Sequence, residues 1–239
     1  MSWTTHEITN QVPDLDDYNL YQADRILQQA VQREGAGWHE PALAEYGALL
    51  GRRETLALAA EINRHAPEAE IFDRVGRRVD RVVFHPGWHQ FMRMAFQQGM
   101  HSSAWANPRP GAHVARAATY LLHGQVEAGS LCPVTMTSAA IPVLRNEPWF
   151  ETIRPLLYSS QYDETDGPLS SKTGMMVGMG MTEKQGGSDL RSNTARAAPL
   201  GVGGRGGAYR ITGHKWFLSS PMSAAHLVLA SHEEQFSCF

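Results

Sequence analysis

The sequence is sparing with cysteine, with long apolar runs and with clustered charge, and each shortage removes a class of protein. Its 239 residues include two cysteines, Cys132 and Cys238. They lie far apart and lack metal-type spacing, so neither a disulfide framework nor a cysteine metal site is expected, and a reducing, cytoplasmic setting is. No run approaches the ~18 apolar residues of a spanning helix, so no membrane segment is expected. The opening MSWTTHEITN has no cationic start and no apolar core, and predicts no secretory signal. The 21 Lys and Arg residues are scattered among 24 Asp and Glu, a formal net charge of -3, and form no basic stripe for nucleic acid in this segment.

What is present is an ordinary globular composition, 42% hydrophobic and 19% charged, long enough for one large domain or two small ones. Residues 1–20 are polar and read as an extended arm of the kind that docks on a neighbouring subunit. Residues 21–33 read as a short helix ended by Gly35-Ala36-Gly37. Over 41–64, Leu43, Tyr46, Leu50, Leu56 and Ile62 give an imperfect helical stripe. Residues 71–86 read as loop or short strand, and 88–105 as a Met- and aromatic-rich helix before Pro108 and Pro110. The clearest helix is 112–128, with Val114, Ala118, Leu121, Leu122 and Val126 on its expected buried face and Gly129 as its stop. A further helical segment runs from Cys132-Pro133 to Leu144.

Around residue 175 the pattern changes to short β-branched or aromatic runs separated by Gly, Ser and Pro: 175–179, 208–212, 215–218 and 226–230. The five glycines of 201–207 suggest a hairpin tip. Helices first and strands second predict an α+β fold with a boundary near residue 174. The last strand-like run reaches Ser237-Cys238-Phe239 without cap, turn or polar tail. Three or four strands with exposed edges make a poor sheet alone, so the chain reads as an N-terminal piece of a longer protein.

The chemistry concentrates in Gly180-Met181-Thr182-Glu183-Lys184-Gln185-Gly186-Gly187-Ser188-Asp189-Leu190-Arg191-Ser192. This is a polar, glycine-punctuated loop after an apolar strand. Adjacent glycines let backbone approach a ligand, and the hydroxyls and N–H groups suit an anionic or carbonyl-rich cofactor edge. The loop is neither a P-loop nor a dinucleotide-binding glycine fingerprint. From the residues alone, a surface turn with a structural glycine pair fits equally well. His85 and His89 lack a third ligand and read as packing or hydrogen-bonding residues. Met92, Met94 and Met100 read as core, Cys132 as a small buried hydrophobe, and Lys172 and Arg145 as solvated charges.

The same stretch resembles, at every position, the acyl-CoA dehydrogenase signature. Two further segments, Tyr209–Ser219 and Ala225–Ala230, resemble that family's G-x-K-x-W-I-T-N turn and A-D-x-x-x-x-A strand. The segments Arg33–Trp38, Phe84–His89, Val126–Pro133 and Gly178–Asp189 are similar to the AidB branch, an alkylation-response flavoprotein branch. The likeness runs from Trp3 to Phe239.

The resemblance implies a short arm and helix over 1–40, a helical N-terminal domain over 41–174, and over 175–239 part of a middle β-barrel-like domain. It implies FAD, held between that middle domain and a C-terminal helical bundle outside this chain. Met181, Thr182, Gly187 and Ser188 would contact the flavin and its pyrophosphate. Phe217, Leu218 and Ser219 would pack on the ring and hydrogen-bond near N5. The implied function is the FAD-binding part of an oxidoreductase acting on CH–CH groups. The alternative is a DNA-associated protective protein of the alkylation response whose basic DNA-binding domain is C-terminal, or an inactive fragment. The longer protein is expected to be a homo-oligomer. No catalytic residue is expected here, because the family's glutamate base belongs to the bundle, and Glu183 is expected to be structural. This chain departs from the pattern at Phe217 for Trp, at Ser219 for Thr, and at Lys184-Gln185 for Pro-Gly. The last departure bears on acyl-CoA handling. By itself the chain is expected to bind FAD weakly or not at all and to turn over no acyl-CoA.

Overall fold

The structure, a computed structural model, describes residue 3, residues 5–233 and residues 235–239. The described residues before residue 20 form no helix or strand, and Ile8, Val12 and Leu15 among them are exposed. Helices α1 (Leu20–Ala23) and α2 (Arg25–Arg33) follow, each started by an Asx side chain that accepts from backbone N–H groups of the first turn: Asn19 for α1 and Asp24 for α2.

The stripe over 41–64 forms two helices, α3 (Glu40–Leu50) and α4 (Arg53–Ile62). The break falls at Gly51, where a Cβ would stand 1.7 Å from the Tyr18 carbonyl oxygen. The incoming N-terminal segment crosses there, and only a residue without a side chain lets it pass. Strands β1 (Glu68–Phe72) and β2 (Arg78–Val83) then form an exposed antiparallel hairpin, longer than the loop or short strand expected.

The Met-rich stretch forms α5 (Pro86–Gln97) and the short α6 (Ser103–Ala106). Left-handed Gly99 (φ 63°) separates them, which explains why one continuous helix does not form. Met92 and Met100 are fully buried. Helix α7 (Ala112–Gly124) buries Ala115, Ala118, Thr119, Leu122 and His123, while Leu121 faces solvent. The expected stripe is therefore turned toward the alanines, which let α7 lie close to α2 and α3. Helix α8 (Leu131–Leu144) buries Pro133 and Val134, which turns Cys132, in the same first turn, outward; it is exposed rather than buried. Helix α9 (Phe150–Leu157) has no counterpart in the sequence reading; its interior Pro155 disguises it.

Strands β3 (Val177–Gly180), β4 (Arg196–Pro199), β5 (Tyr209–Thr212), β6 (Ala225–His232) and β7 (Gln235–Cys238) make one sheet in the order β3-β6-β4-β5, with β7 also on β6. The β3–β6 and β4–β6 pairs are parallel; β4–β5 and β6–β7 are antiparallel. The expected strand over 215–218 is instead a turn without ladder pairing. The fold is thus α+β.

The main core lies among the helices. A second cluster joins Ile141, Leu144, Phe150, Ile153 and Leu157 of α8 and α9 to Met175, Val177 and Leu227 of the sheet. Backbone bonds reinforce that join: Met175 N–H donates to Leu156 O at 3.2 Å, and Val177 N–H donates to Thr137 Oγ1 at 3.1 Å. Lys172 is not the solvated charge expected from sequence. Its side chain is 7% exposed, donates to Thr165 O and faces Asp163 at 3.8 Å. Asp163 also accepts from the backbone N–H groups of Thr165 and Thr173, so the 163–173 loop wraps around this pair.

Candidate functional site

The site forms where the end of β3 meets the turn between β5 and β6. Strand β3 carries glycine at 178 and 180 because neighbours fill the space a side chain would take. A Cβ at Gly178 would lie 2.4 Å from the His226 ring, and one at Gly180 would lie 3.0 Å from Leu218 Cδ1. Leu218 thereby packs against the strand that delivers Met181 and Thr182. Thr182 O accepts from Trp216 N–H at 3.0 Å, so the 215–219 turn runs alongside the signature segment.

After Thr182 the chain reverses tightly. Glu183 and Gly186 exchange backbone hydrogen bonds of 3.3 and 3.1 Å across Lys184-Gln185. This brings Gly187 back beside Thr182: a Cβ at 187 would lie 2.6 Å from Thr182 Cγ2. Ser188 follows on the exposed limb, and Asp189 then turns the chain, accepting from Arg191 N–H at 3.2 Å.

Glu183 holds the assembly together. Its side chain is 1% exposed. It accepts from Thr194 N–H at 2.7 Å, Thr194 Oγ1 at 2.9 Å, Ala195 N–H at 2.9 Å, Gln185 Nε2 at 2.6 Å and Lys215 Nζ at 3.0 Å. Burial by itself would raise its pKa. The bonds from Thr194, Ala195, Gln185 and Lys215 outweigh burial and hold it well below the usual carboxylate range. A carboxylate so stabilised is a poor proton acceptor near neutrality, which agrees with a structural role. One carboxylate thus ties together the signature loop, the start of β4 and the 215–219 turn. Asn193 adds a second tie, donating to Met181 O at 2.7 Å, while its own buried Oδ1 has no partner among the described residues.

The turn itself is strained. Phe217 (φ 55°) and Ser220 (φ 54°) are left-handed without being glycine. Phe217 is 81% exposed, beside Trp216 at a ring separation of 5.8 Å, and Lys184 Nζ lies 5.2 Å from the Trp216 ring centroid. Ser219 is exposed.

Of the residues singled out from sequence, Met181, Thr182, Gly187 and Leu218 are brought into one neighbourhood by these contacts. Phe217 and Ser219 sit on the same turn as Leu218, and Ser188 sits at the loop's outer end. Sequence reasoning missed Lys215 and Thr194 as partners of Glu183, and Asn193 as the donor to Met181 O. The signal was faint: a cation and two short polar residues, with nothing to say that they converge. His85 and His89 serve as hydrogen-bonding residues: His85 caps α5 by accepting from Gly87 N–H, and His89 meets Tyr162 at 3.0 Å.

The architecture defines the class first. The chain superposes on Bd2924 in its apo-form with a TM-score of 0.78 at 26% identity, covering 92% of this chain and 44% of that one. It also superposes on Caenorhabditis elegans ACDH-11, crystallised in complex with C11-CoA, with a TM-score of 0.76 at 21% identity, covering 98% and 40%. The fold is that of acyl-CoA dehydrogenases.

Within that class the sequence narrows the assignment. The family model described as the adaptive response protein AidB N-terminal domain matches residues 10–164, and the chain belongs to that family. It is 49% identical over 243 residues to the putative acyl-CoA dehydrogenase AidB of Escherichia coli (strain K12), an alignment covering all of this chain and 44% of that protein. It is 27% identical over 220 residues to acyl-CoA dehydrogenase family member 11 of Caenorhabditis elegans, covering 89% and 34%. The chain spans less than half the length of these curated relatives.

Proposed function

We propose that this chain supplies one wall of an FAD site in an AidB-like flavoprotein of the acyl-CoA dehydrogenase class, an oxidoreductase acting on CH–CH groups. The observation that carries the reading is the buried Glu183 anchor. It fixes the 181–188 loop and the 215–219 turn against each other before any ligand arrives, as a preorganised cofactor edge requires. The residues fit the group. Gly187 lies so close to Thr182 that a side chain would crowd it, Ser188 and Ser219 expose hydroxyls, and Phe217 is held outward in a strained conformation suited to covering a flat ring. Met181, Thr182, Gly187 and Ser188 would hold one part of the cofactor, and Phe217, Leu218 and Ser219 the ring. When bound, FAD supplies a two-electron acceptor. The protein's own part is to orient it and offer fixed donors to its carbonyl edge.

In this reading residues 41–174 form the helical domain and 175–239 part of the middle β domain. The longer protein is cytoplasmic and homo-oligomeric, and the apolar arm residues Ile8, Val12 and Leu15 are available to a neighbouring subunit.

The test is a titration of FAD into the protein, following quenching of flavin fluorescence. We expect weak, saturable binding that Ser219→Ala weakens about fivefold, the value of one hydrogen bond of ~1 kcal/mol. Saturable binding that is unchanged in Thr182→Ala, Gly187→Val and Ser219→Ala alike overturns the assignment.

A further inference from the structure

The Arg33–Trp38 motif plays no part in the flavin reading, yet it builds a second cleft on the helical half. The Gly35–Trp38 segment packs on the start of α7. A Cβ at Gly111 would stand 2.3 Å from the Gly35 carbonyl oxygen, and Gly111 has φ 76°, so both space and conformation demand glycine at this helix start. Trp38 is fixed as a result. Its Nε1–H donates to Pro110 O at 3.1 Å, and the Arg109 guanidinium carbon lies 3.1 Å from its ring centroid.

Between Trp38 and α7 lies a cleft of about 510 Å³, lined among others by His39, Ser103, Asn107, Arg109 and Arg116. Among the described residues, no Asp or Glu lines it. Among the described residues, neither Arg109 nor Arg116 has a carboxylate partner, although Arg53, Arg81, Arg93, Arg154 and Arg205 each have one. Arg116 Nε donates to Met100 O at 2.6 Å, but its Nη2 is buried without an acceptor. A buried guanidinium nitrogen with nothing to bond is costly, and folded proteins rarely leave one so. Burial lowers the Arg116 pKa against the opposing effect of Tyr120, and burial together with Arg109 lowers that of His39, which leaves the two guanidinium groups as the positive charge of the cleft. The helix adds to this field. Its cap, Gly111, offers no side-chain acceptor, and Ala112 of its first turn lines the cleft.

We propose that this cleft binds a phosphate dianion, free or carried on a small sugar or nucleoside. One guanidinium suffices for a carboxylate. Two guanidinium groups with an amide and a hydroxyl nearby match an acceptor with three or more oxygens and two charges. The volume exceeds that of phosphate alone, and the Trp38 ring with Ala112 and Ala115 gives an organic portion apolar surface to rest on.

The test uses the full 239-residue chain labelled with ¹⁵N, following the Trp38 Nε1–H signal assigned with Trp38→Phe. Inorganic phosphate, ribose 5-phosphate and acetate are titrated separately at constant ionic strength set with chloride. Saturable shifts with the two phosphates, weakened at least about tenfold by Arg109→Gln and by Arg116→Gln, are expected. Tighter binding of ribose 5-phosphate identifies the ester as occupant, and equal binding identifies free phosphate. Arg109 is exposed, so its variant keeps the test decisive even where Arg116→Gln fails to fold. No saturable shift, an equal shift with acetate, or unchanged binding in Arg109→Gln overturns the proposal.

Discussion

At the residue scale, two side chains govern the candidate flavin site in opposite ways. Glu183 stabilises it. Replacing it with Gln leaves Lys215, only 10% exposed, as an unpaired cation, and loss of one partner of such a pair costs about 3–5 kcal/mol. Urea denaturation of Glu183→Gln is expected to show that loss; an unchanged midpoint would mean that the carboxylate does not anchor the loop. Phe217 strains the site. Its left-handed backbone costs ~1–3 kcal/mol, and its ring, 81% exposed, regains little by burial. Phe217→Gly is therefore expected to raise stability by roughly 0.5–1 kcal/mol, part of the relief being offset by glycine's greater unfolded-state entropy. The same variant is expected to weaken FAD binding. A stability loss in Phe217→Gly would show that the ring is held by packing instead of being displayed.

At the element scale, the break between α3 and α4 is a steric event. Gly51 has an ordinary helical φ, so left-handed freedom is not the reason for glycine there. The reason is the Tyr18 carbonyl, 1.7 Å from where a Cβ would be. Gly51→Ala must push the N-terminal segment away from the helix pair, and overpacking of this kind costs ~1–3 kcal/mol. Thermal unfolding of Gly51→Ala checks this. A melting temperature equal to that of the parent would show that the segment before α1 detaches without cost.

At the scale of the whole molecule, buried imidazoles set the acid limit before the carboxylates do. His101 and His123 are buried neutral, and burial pulls each down to about 4; His39, His89 and His226 are lowered as well. His123 bridges Tyr46 and Ser130 inside the helical core, and Glu127 ties the same turn by accepting from Ser130 N–H. Unfolded histidine titrates near 6.5, so the unfolded chain binds protons first. Stability is full above about 6.5 and falls as pH drops toward about 4. Asp163, lowered to about 2 by hydrogen bonds from Thr165 and Thr173 that outweigh its burial, adds its loss only at lower pH, as unfolded carboxylates near 4 begin to protonate. Urea midpoints between pH 7 and 5 should therefore decline with an uptake of at least about two protons on unfolding. A flat profile over that window would show that these imidazoles are already solvated.

The sequence by itself determined a good deal. Local periodicity is written by the residues of each segment, so α5, α7, α8, β3, β5 and β6 were legible. So was the Met181–Ser188 loop, because a glycine pair among hydroxyls is a local pattern. What needed partners distant in sequence was decided only by the tertiary structure. Residues 215–218 carry strand-like side chains, yet Trp216 N–H goes to Thr182 O and Lys215 goes to Glu183, so the segment turns instead of pairing. Strand β4, Arg196-Ala197-Ala198-Pro199, has little β propensity and exists because β5 and β6 flank it. Lys172 reads as a solvated charge until Asp163, nine positions back, is folded over it. Nothing local marks Arg116, whose Nη2 the fold buries without an acceptor. In each case the deciding term is burial or a hydrogen bond between residues that only the fold brings together.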